Sequence, residues 1–176
     1  GAKPDETALE EAIFFPNTEF GDDISSVEAV VEGGADVNAL VDGMSSLGWV
    51  ASINDGGQRA GAIVRFLLKH GADPNRYKTT HPVHAAVKRP AMDALEELLK
   101  GGADPNVIDD GCTPIAALIL EMNDAFGRDD ELNDGSGDIA RKFVPPTLRL
   151  LLEHGGDPSI PTDTGNTPLL LALKCA

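Results

Sequence analysis

The chain has 176 residues, 41% of them apolar, which suits one domain or an array of small units and is not the composition of a disordered segment. Fourteen Lys and Arg stand against 29 Asp and Glu, a net charge of −15, and this argues against nucleic acid and anionic membranes, whose binding needs clustered cations. No apolar run approaches the roughly 18 residues of a membrane span, and two cysteines, Cys112 and Cys175, cannot build a framework of several disulfides.

In chain order, residues 1–3 read as a cloning remnant or an N-terminal tail, which leaves a removed targeting segment open. TALEEAI (7–13) predicts a first helix, with Thr7 and Glu10 spaced as a capping box. After FFPNTEFGDD (14–23), VVEGGADVN (30–38) predicts the end of a second helix at Gly34. SSLGWVA (45–51) predicts a short helix, INDGGQRAG (53–61) an insertion, and LLKHGADPN (67–75) the end of a further helix at Gly71. HPVHAAV (81–87) predicts another short helix. Met92, Leu95 and Leu99 then follow the i, i+3, i+7 spacing of one helix face before LLKGGADPN (98–106). DDGCTPIAAL (109–118) starts the next short helix, a long acidic stretch occupies 120–146, LLEHGGDPS (151–159) closes a helix at Gly155, and DTGNTPLLLA (163–172) opens the last one.

Two phrases therefore alternate, and each has physical content. In the first, a glycine takes the left-handed conformation that ends a helix at no steric cost, proline forbids continuation, and Asp and Asn side chains bond nearby backbone in a turn. In the second, Thr113-Pro114 and Thr167-Pro168 place a threonine at the N-cap and a proline at the first helical position, where its missing N–H is harmless.

This alternation resembles the ankyrin repeat family over most of residues 7–174. The resemblance implies an all-α, ankyrin-type helical-repeat solenoid of four full repeats plus a partial fifth, forming one domain over 4–176. The repeats would fall at 4–38, 39–75, 76–106, 107–159 and 160–176, with hairpin-like fingers between them. Only the repeat from His81 to Gly102 has the family's usual spacing. Repeats 1, 2 and 4 carry insertions between their two helices, and the longest reads either as a functional loop or as a solvated polar one. The last repeat stops after its first helix, so either the natural chain continues or LLLALK (169–174) closes the stack.

No catalytic constellation stands out, and the expectation is a chain that is not an enzyme and holds no cofactor and no metal. His84 falls at the histidine that braces neighbouring backbone in the family. His70 and His154 precede capping glycines, where a helix C-terminus favours a cation. The acidic stretch 127–138 fails the calcium-loop template, because Leu132 and Arg141 occupy ligand positions. Free thiols suit a reducing compartment, so a cytoplasmic location is expected. Trp49 reads as core filler, with a surface anchor as the other reading. Gly48 would make room for its ring, and Phe14 and Phe15 would cover the end of the stack or form a contact site.

The family binds proteins through finger tips and the exposed groove of the first helices. Carried over, this gives Leu40, Val41, Asp42 and Met44 on the first finger, and Arg76, Tyr77, Lys78 and Thr80 on the second. The third gives Ile108, Asp109, Asp110 and Cys112, and the fourth gives Thr162, Asp163, Thr164 and Asn166. Helix positions facing the groove include Ser52, Ile53, Lys88, Arg89, Leu120 and Glu121. The expected partner is a protein, in one version with a basic surface, taken up by a chain that is monomeric when free. Arg76, Lys78, Lys88 and Arg89 gather cations around Tyr77, and acidic fingers flank them. A stoichiometric inhibitor or immunity-type protein that occludes a basic enzyme is the alternative to an adaptor or scaffold.

Overall fold

The structure is a computed structural model that describes residues 7–14, 24–53, 58–89, 91–121 and 136–173. It is mostly helical. The helices are α1 (Ala8–Phe14), α2 (Ser25–Glu32), α3 (Ser46–Ala51), α4 (Gln58–Lys69), α5 (Pro82–Val87), α6 (Met92–Lys100), α7 (114–121), α8 (Ser136–Glu153) and α9 (Pro168–Leu173). Between α2 and α3 lie two short antiparallel strands, β1 (Leu40–Val41) and β2 (Met44–Ser45). The chain divides into two compact units, Gly1–Ala103 and Asp104–Ala176.

The starts of the short helices follow from their capping residues. Ser45 Oγ accepts from Gly48 N (3.2 Å), Thr113 Oγ1 from Ala116 N (3.4 Å) and Thr167 Oγ1 from Leu170 N (3.4 Å). Before α5 a histidine does this work: His81 Nδ1 accepts from Val83 N (3.2 Å), with Pro82 at the first helical position. The ends of α2, α4, α6 and α8 follow from glycine. Gly34, Gly71, Gly102 and Gly155 have φ of 96°, 88°, 89° and 89°, a conformation that a Cβ would strain.

In the first unit, α1 packs on α2 and α3, α3 on α4 and α5, and α6 on α4 and α5. Its core is Leu9, Ile13, Val27, Leu47, Val50, Ile63, Leu67, Val83, Leu95 and Leu98, all buried. In the second unit Ile115, Leu118, Leu151 and Leu171 are buried.

Two helices begin earlier than the sequence pattern predicts. Gln58–Gly61, expected inside an insertion, form the first turn of α4. Arg59 is buried there and its Nη2 donates to Ile13 O (3.1 Å), a carbonyl at the end of α1. The stretch reads as loop because Gly and polar residues hide a stripe whose members Ala60, Ile63, Val64 and Leu67 are all buried. Residues 136–146 are likewise helical, although Pro145 and Pro146 lie inside α8 and remove two backbone donors. Both prolines are exposed, and Thr147, the residue after them, is buried. The rest of the long insertion, including residues 127–135, lies outside the described residues, as do Phe15 and most of the first insertion.

The closing phrase does more than turn the chain. Asp36, Asp73, Asp104 and Asp157 each accept, at Oδ1, the amide two residues on, as turn formers should. At Asp157 the Ser159 hydroxyl also donates (2.6 Å), and with the Ser159 amide it holds that carboxyl below its ordinary pKa. The asparagines reach much farther. Asn38 Nδ2 donates to Gly71 O (2.9 Å) and Asn38 Oδ1 accepts from Asp73 N (2.7 Å). Asn75 Nδ2 donates to Gly102 O (3.0 Å). Asn106 spans to Gly155 O (2.9 Å) and Asp157 N (2.6 Å) in the same way. Each amide thus clamps the helix cap of the following copy. Replacing Asn106 with Ala removes both bonds, and urea unfolding should show a loss of about 1–2 kcal/mol at unchanged m.

Candidate functional site

The first and third fingers are built by Asp-Gly turns. Asp42 (φ 52°) and Gly43 (φ 81°) are both left-handed, the pattern of a type I′ turn, and Leu40 pairs with Ser45 and Val41 with Met44. Asp110 (φ 52°) and Gly111 (φ 73°) repeat the device, with Asp109 and Cys112 exchanging backbone bonds of 3.1 and 3.2 Å.

In the first unit the two fingers touch through backbone. Lys78 N and Thr79 N both donate to Gly43 O (2.9 and 3.0 Å), and a Cβ on Gly43 would lie 2.6 Å from the Thr79 methyl. This contact brings Arg76, Tyr77 and Lys78 beside Val41, Asp42 and Met44. Asp42, Arg76 and Lys78 are exposed, while Val41, Met44 and Tyr77 are half-buried, Tyr77 standing edge-on to His81 at 4.9 Å. Lys88 and Arg89 are exposed at the far end of α5, about 9 Å along its axis from the finger side. The four cations therefore form two pairs, one at each end of a six-residue helix.

In the second unit Asp163 N donates to Gly111 O (2.8 Å), and the Asp163 carboxylate lies over Gly111, where a Cβ would meet it at 2.6 Å. Asp110 and Asp163 are exposed and Asp109 is half-buried, so carboxylates crowd these two turns. Asn166 is tied to its own turn: its Nδ2 donates to Thr164 Oγ1 (2.9 Å), and its backbone carbonyl accepts from Thr162 N (2.9 Å). Cys112 and Thr162, expected at finger tips, are buried, and Cys112 Sγ donates to Asp109 O (3.6 Å). Ile108 is 59% exposed, an apolar side chain offered beside the acidic turn.

Trp49 is half-buried and meets Phe14 edge to face (centroids 5.4 Å apart, 79°). With Leu9, Glu10 and Val41 it lines a cleft of only about 10 Å³. Gly48 does not make room for this ring, as the sequence suggests; a Cβ there would strike Met44 Cγ at 2.8 Å, so the space belongs to methionine.

A larger groove, about 330 Å³, runs between α4 and α6, lined by Gln58, Arg65, Asp93, Glu96, Glu97 and Lys100. Arg65 grips Glu97 with two bonds of 3.0 Å, and Lys100 reaches Glu96 at 2.7 Å. The Arg65 hydrogen bond holds the Glu97 carboxyl below its ordinary pKa, against the burial that would raise it. These charges are satisfied by one another. Among the described residues no group of three or more His, Cys, Asp or Glu could hold a metal ion, and no helix is long and apolar enough to cross a membrane. Cys175 and most of the acidic stretch 127–138 lie outside the described residues. His70 and His154 behave as helix-end residues, each Nδ1 donating to the carbonyl four residues back (2.9 Å).

The ankyrin repeat model matches residues 80–110, which hold α5, α6 and the closing turn. Among curated proteins, a human mitochondrial disaggregase is 26% identical over 161 residues, covering 83% of this chain and 22% of that protein. The E3 ubiquitin-protein ligase Ufd4 of Drosophila melanogaster is 36% identical over 151 residues, covering 76% of this chain and 5% of that protein. The chain thus spans less than a quarter of either relative.

Proposed function

With residues 80–110 an ankyrin repeat, we propose that this protein is a non-catalytic protein-binding module, a solenoid of four full repeats and a partial fifth in one domain over 4–176. It engages its partner through finger tips and the groove of the first helices. Ankyrin repeats generally mediate protein–protein interaction. What supports the reading in this chain is the division of labour in the fingers: backbone bonds hold them against one another, and side chains such as Asp42, Arg76 and Lys78 are left exposed. Recognition then rests on a basic centre (Arg76, Lys78, Lys88, Arg89) with Tyr77 as anchor. Val41, Asp42 and Met44 stand beside it on the first finger, and in the second unit Asp109, Asp110 and Asp163, with the neutral Asn166, make an acidic margin. The centre takes an acidic or carbonyl-rich segment and the margins take basic residues.

The net charge of −15 favours one particular version, a stoichiometric inhibitor or immunity-type protein that occludes a basic enzyme. The rival is an adaptor or scaffold segment; both relatives are far longer than the region they share with this chain. An affinity pull-down from the source cell, read by mass spectrometry, identifies the partner. The double substitution Lys88→Glu, Arg89→Glu should then weaken binding about tenfold at low salt, with a smaller difference as salt rises. Unchanged affinity at low salt would sink the assignment.

A further inference from the structure

The regular repeat departs from its neighbours at one position. Ser45, Thr113 and Thr167 cap their helices with hydroxyls, whereas α5 is capped by an imidazole, and His81 is fully buried. A hydroxyl caps at any pH of interest; an imidazole does so only with a bare nitrogen.

The bonds around His81 have one consistent direction. Gly102 O can only accept, so the Asn75 group 3.0 Å from it is the amide NH₂, and Asn75 Oδ1 faces the other way. His81 Nε2 lies 3.3 Å from that oxygen and must donate to it. Val83 N can only donate, so His81 Nδ1 must carry a lone pair. The relay therefore fits neutral imidazole with its proton on Nε2. A second proton would sit on Nδ1 and point at the Val83 N–H, donor against donor.

The relay also spans a functional element. Asn75 and His81 are the two ends of the loop 76–80, which carries Arg76, Tyr77 and Lys78, and their side-chain bond closes it. We propose that His81 is a pH-sensitive latch on this finger. Protonation of its ring breaks the cap on α5 and the bond to Asn75, and loosens residues 76–80.

The surroundings oppose a charged ring. His84 is buried on the same helix, and Arg76 and Lys78 place two cations in the loop. Lys88 and Arg89 follow at the far end of α5. The helix packed on one side, α3, contains no titratable residue, and on α6 the side chains of Asp93, Glu96, Glu97 and Lys100 line the groove shared with α4. In the preceding turn the Asp73 carboxylate accepts from Asn75 N, and on the first finger Asp42 is exposed at the turn.

The direction follows from linkage. The closed loop binds no proton at His81, whereas the open loop binds one below about pH 6.5, the ordinary imidazole value, so closure is lost as pH falls through that range. Between pH 7.5 and 5.0 the open population should rise on the order of thirtyfold. Amide hydrogen exchange reads this directly, as protection factors for Val83 and residues 76–80 in the intact chain. The comparison is His81→Thr, which restores the cap used by Thr113 and Thr167 and leaves His84 in place in both proteins. The expected result is a large loss of protection at pH 5.0 in the native chain and a loss several-fold smaller in H81T. An equal loss in both, or none in the native chain, overturns the proposal. Should H81T fail to fold, nitrogen shifts of the His81 ring decide. A bare Nδ1 at pH 7.5 that gains its proton together with the loss of Val83 protection supports the latch. A proton on Nδ1 at pH 7.5, or a ring that titrates with Val83 protection intact, overturns it.

Discussion

Leu95→Ala should lower the stability of the chain by about 2–5 kcal/mol, seen as a fall in the urea midpoint at unchanged m. Leu95 is fully buried on α6, the helix that packs against both α4 and α5. Truncation there removes apolar surface and leaves a cavity between three helices that are held at fixed separation by their neighbours, so little of the space can close. Leu169 is the matched control. It is 67% exposed on α9, and its replacement by alanine should change stability by no more than about 0.5 kcal/mol. A small effect at Leu95 would mean that the core of the first unit is not built around α6.

Gly61→Val should cost about 3 kcal/mol, even though glycine inside a helix is normally the weaker choice by about 1 kcal/mol relative to alanine. A Cβ at this position would lie 2.8 Å from Asp93 Cβ and 3.2 Å from the Asp93 carbonyl carbon and oxygen. The latter two are backbone atoms of α6 and cannot rotate away. The two helices must separate, and the Arg65–Glu97 pair that bridges them must stretch. Gly61→Ala should fall between the two, because its propensity gain offsets part of the clash. The measurement is equilibrium unfolding of the three proteins side by side. A Gly61→Ala variant more stable than the parent would show that α4 and α6 approach less closely than the structure has them.

Gly61 also illustrates why some of the fold was hidden. In the sequence it sits in INDGGQRAG, beside two other glycines, and reads as loop. What makes it helical is an apolar stripe that begins at Ala60 and a partner helix some thirty residues away. Arg59 is a similar case: an arginine in a polar stretch signals a surface, yet it is buried and supplies a donor to Ile13 O across 46 residues. Gly48 looked like space for Trp49 because the two are neighbours in sequence, and the space proved to be filled by Met44, one turn back. Which finger and groove positions are exposed was legible only in part. Exposure of Asp42, Arg76, Lys78, Lys88 and Arg89 agrees with the sequence reading, but Cys112 and Thr162 are buried and Asn166 is committed to its own turn.

By itself, the sequence determined where helices stop and most of where they start, and hence the repeating character of the chain. The reason is that those signals are local. A left-handed glycine, a proline at the first helical position, and a hydroxyl that reaches an amide three residues on all act within one turn of backbone. Only the tertiary structure decided what the asparagines are for and which glycine marks a close approach. Each of those depends on an atom that the stacking of one copy on the next brings into reach: Gly71 O for Asn38, Gly102 O for Asn75, Asp93 for Gly61. Hydrogen bonds and van der Waals contact fall off within a few ångströms, so residues 27 or more apart in sequence carry no local trace of them until the chain has folded.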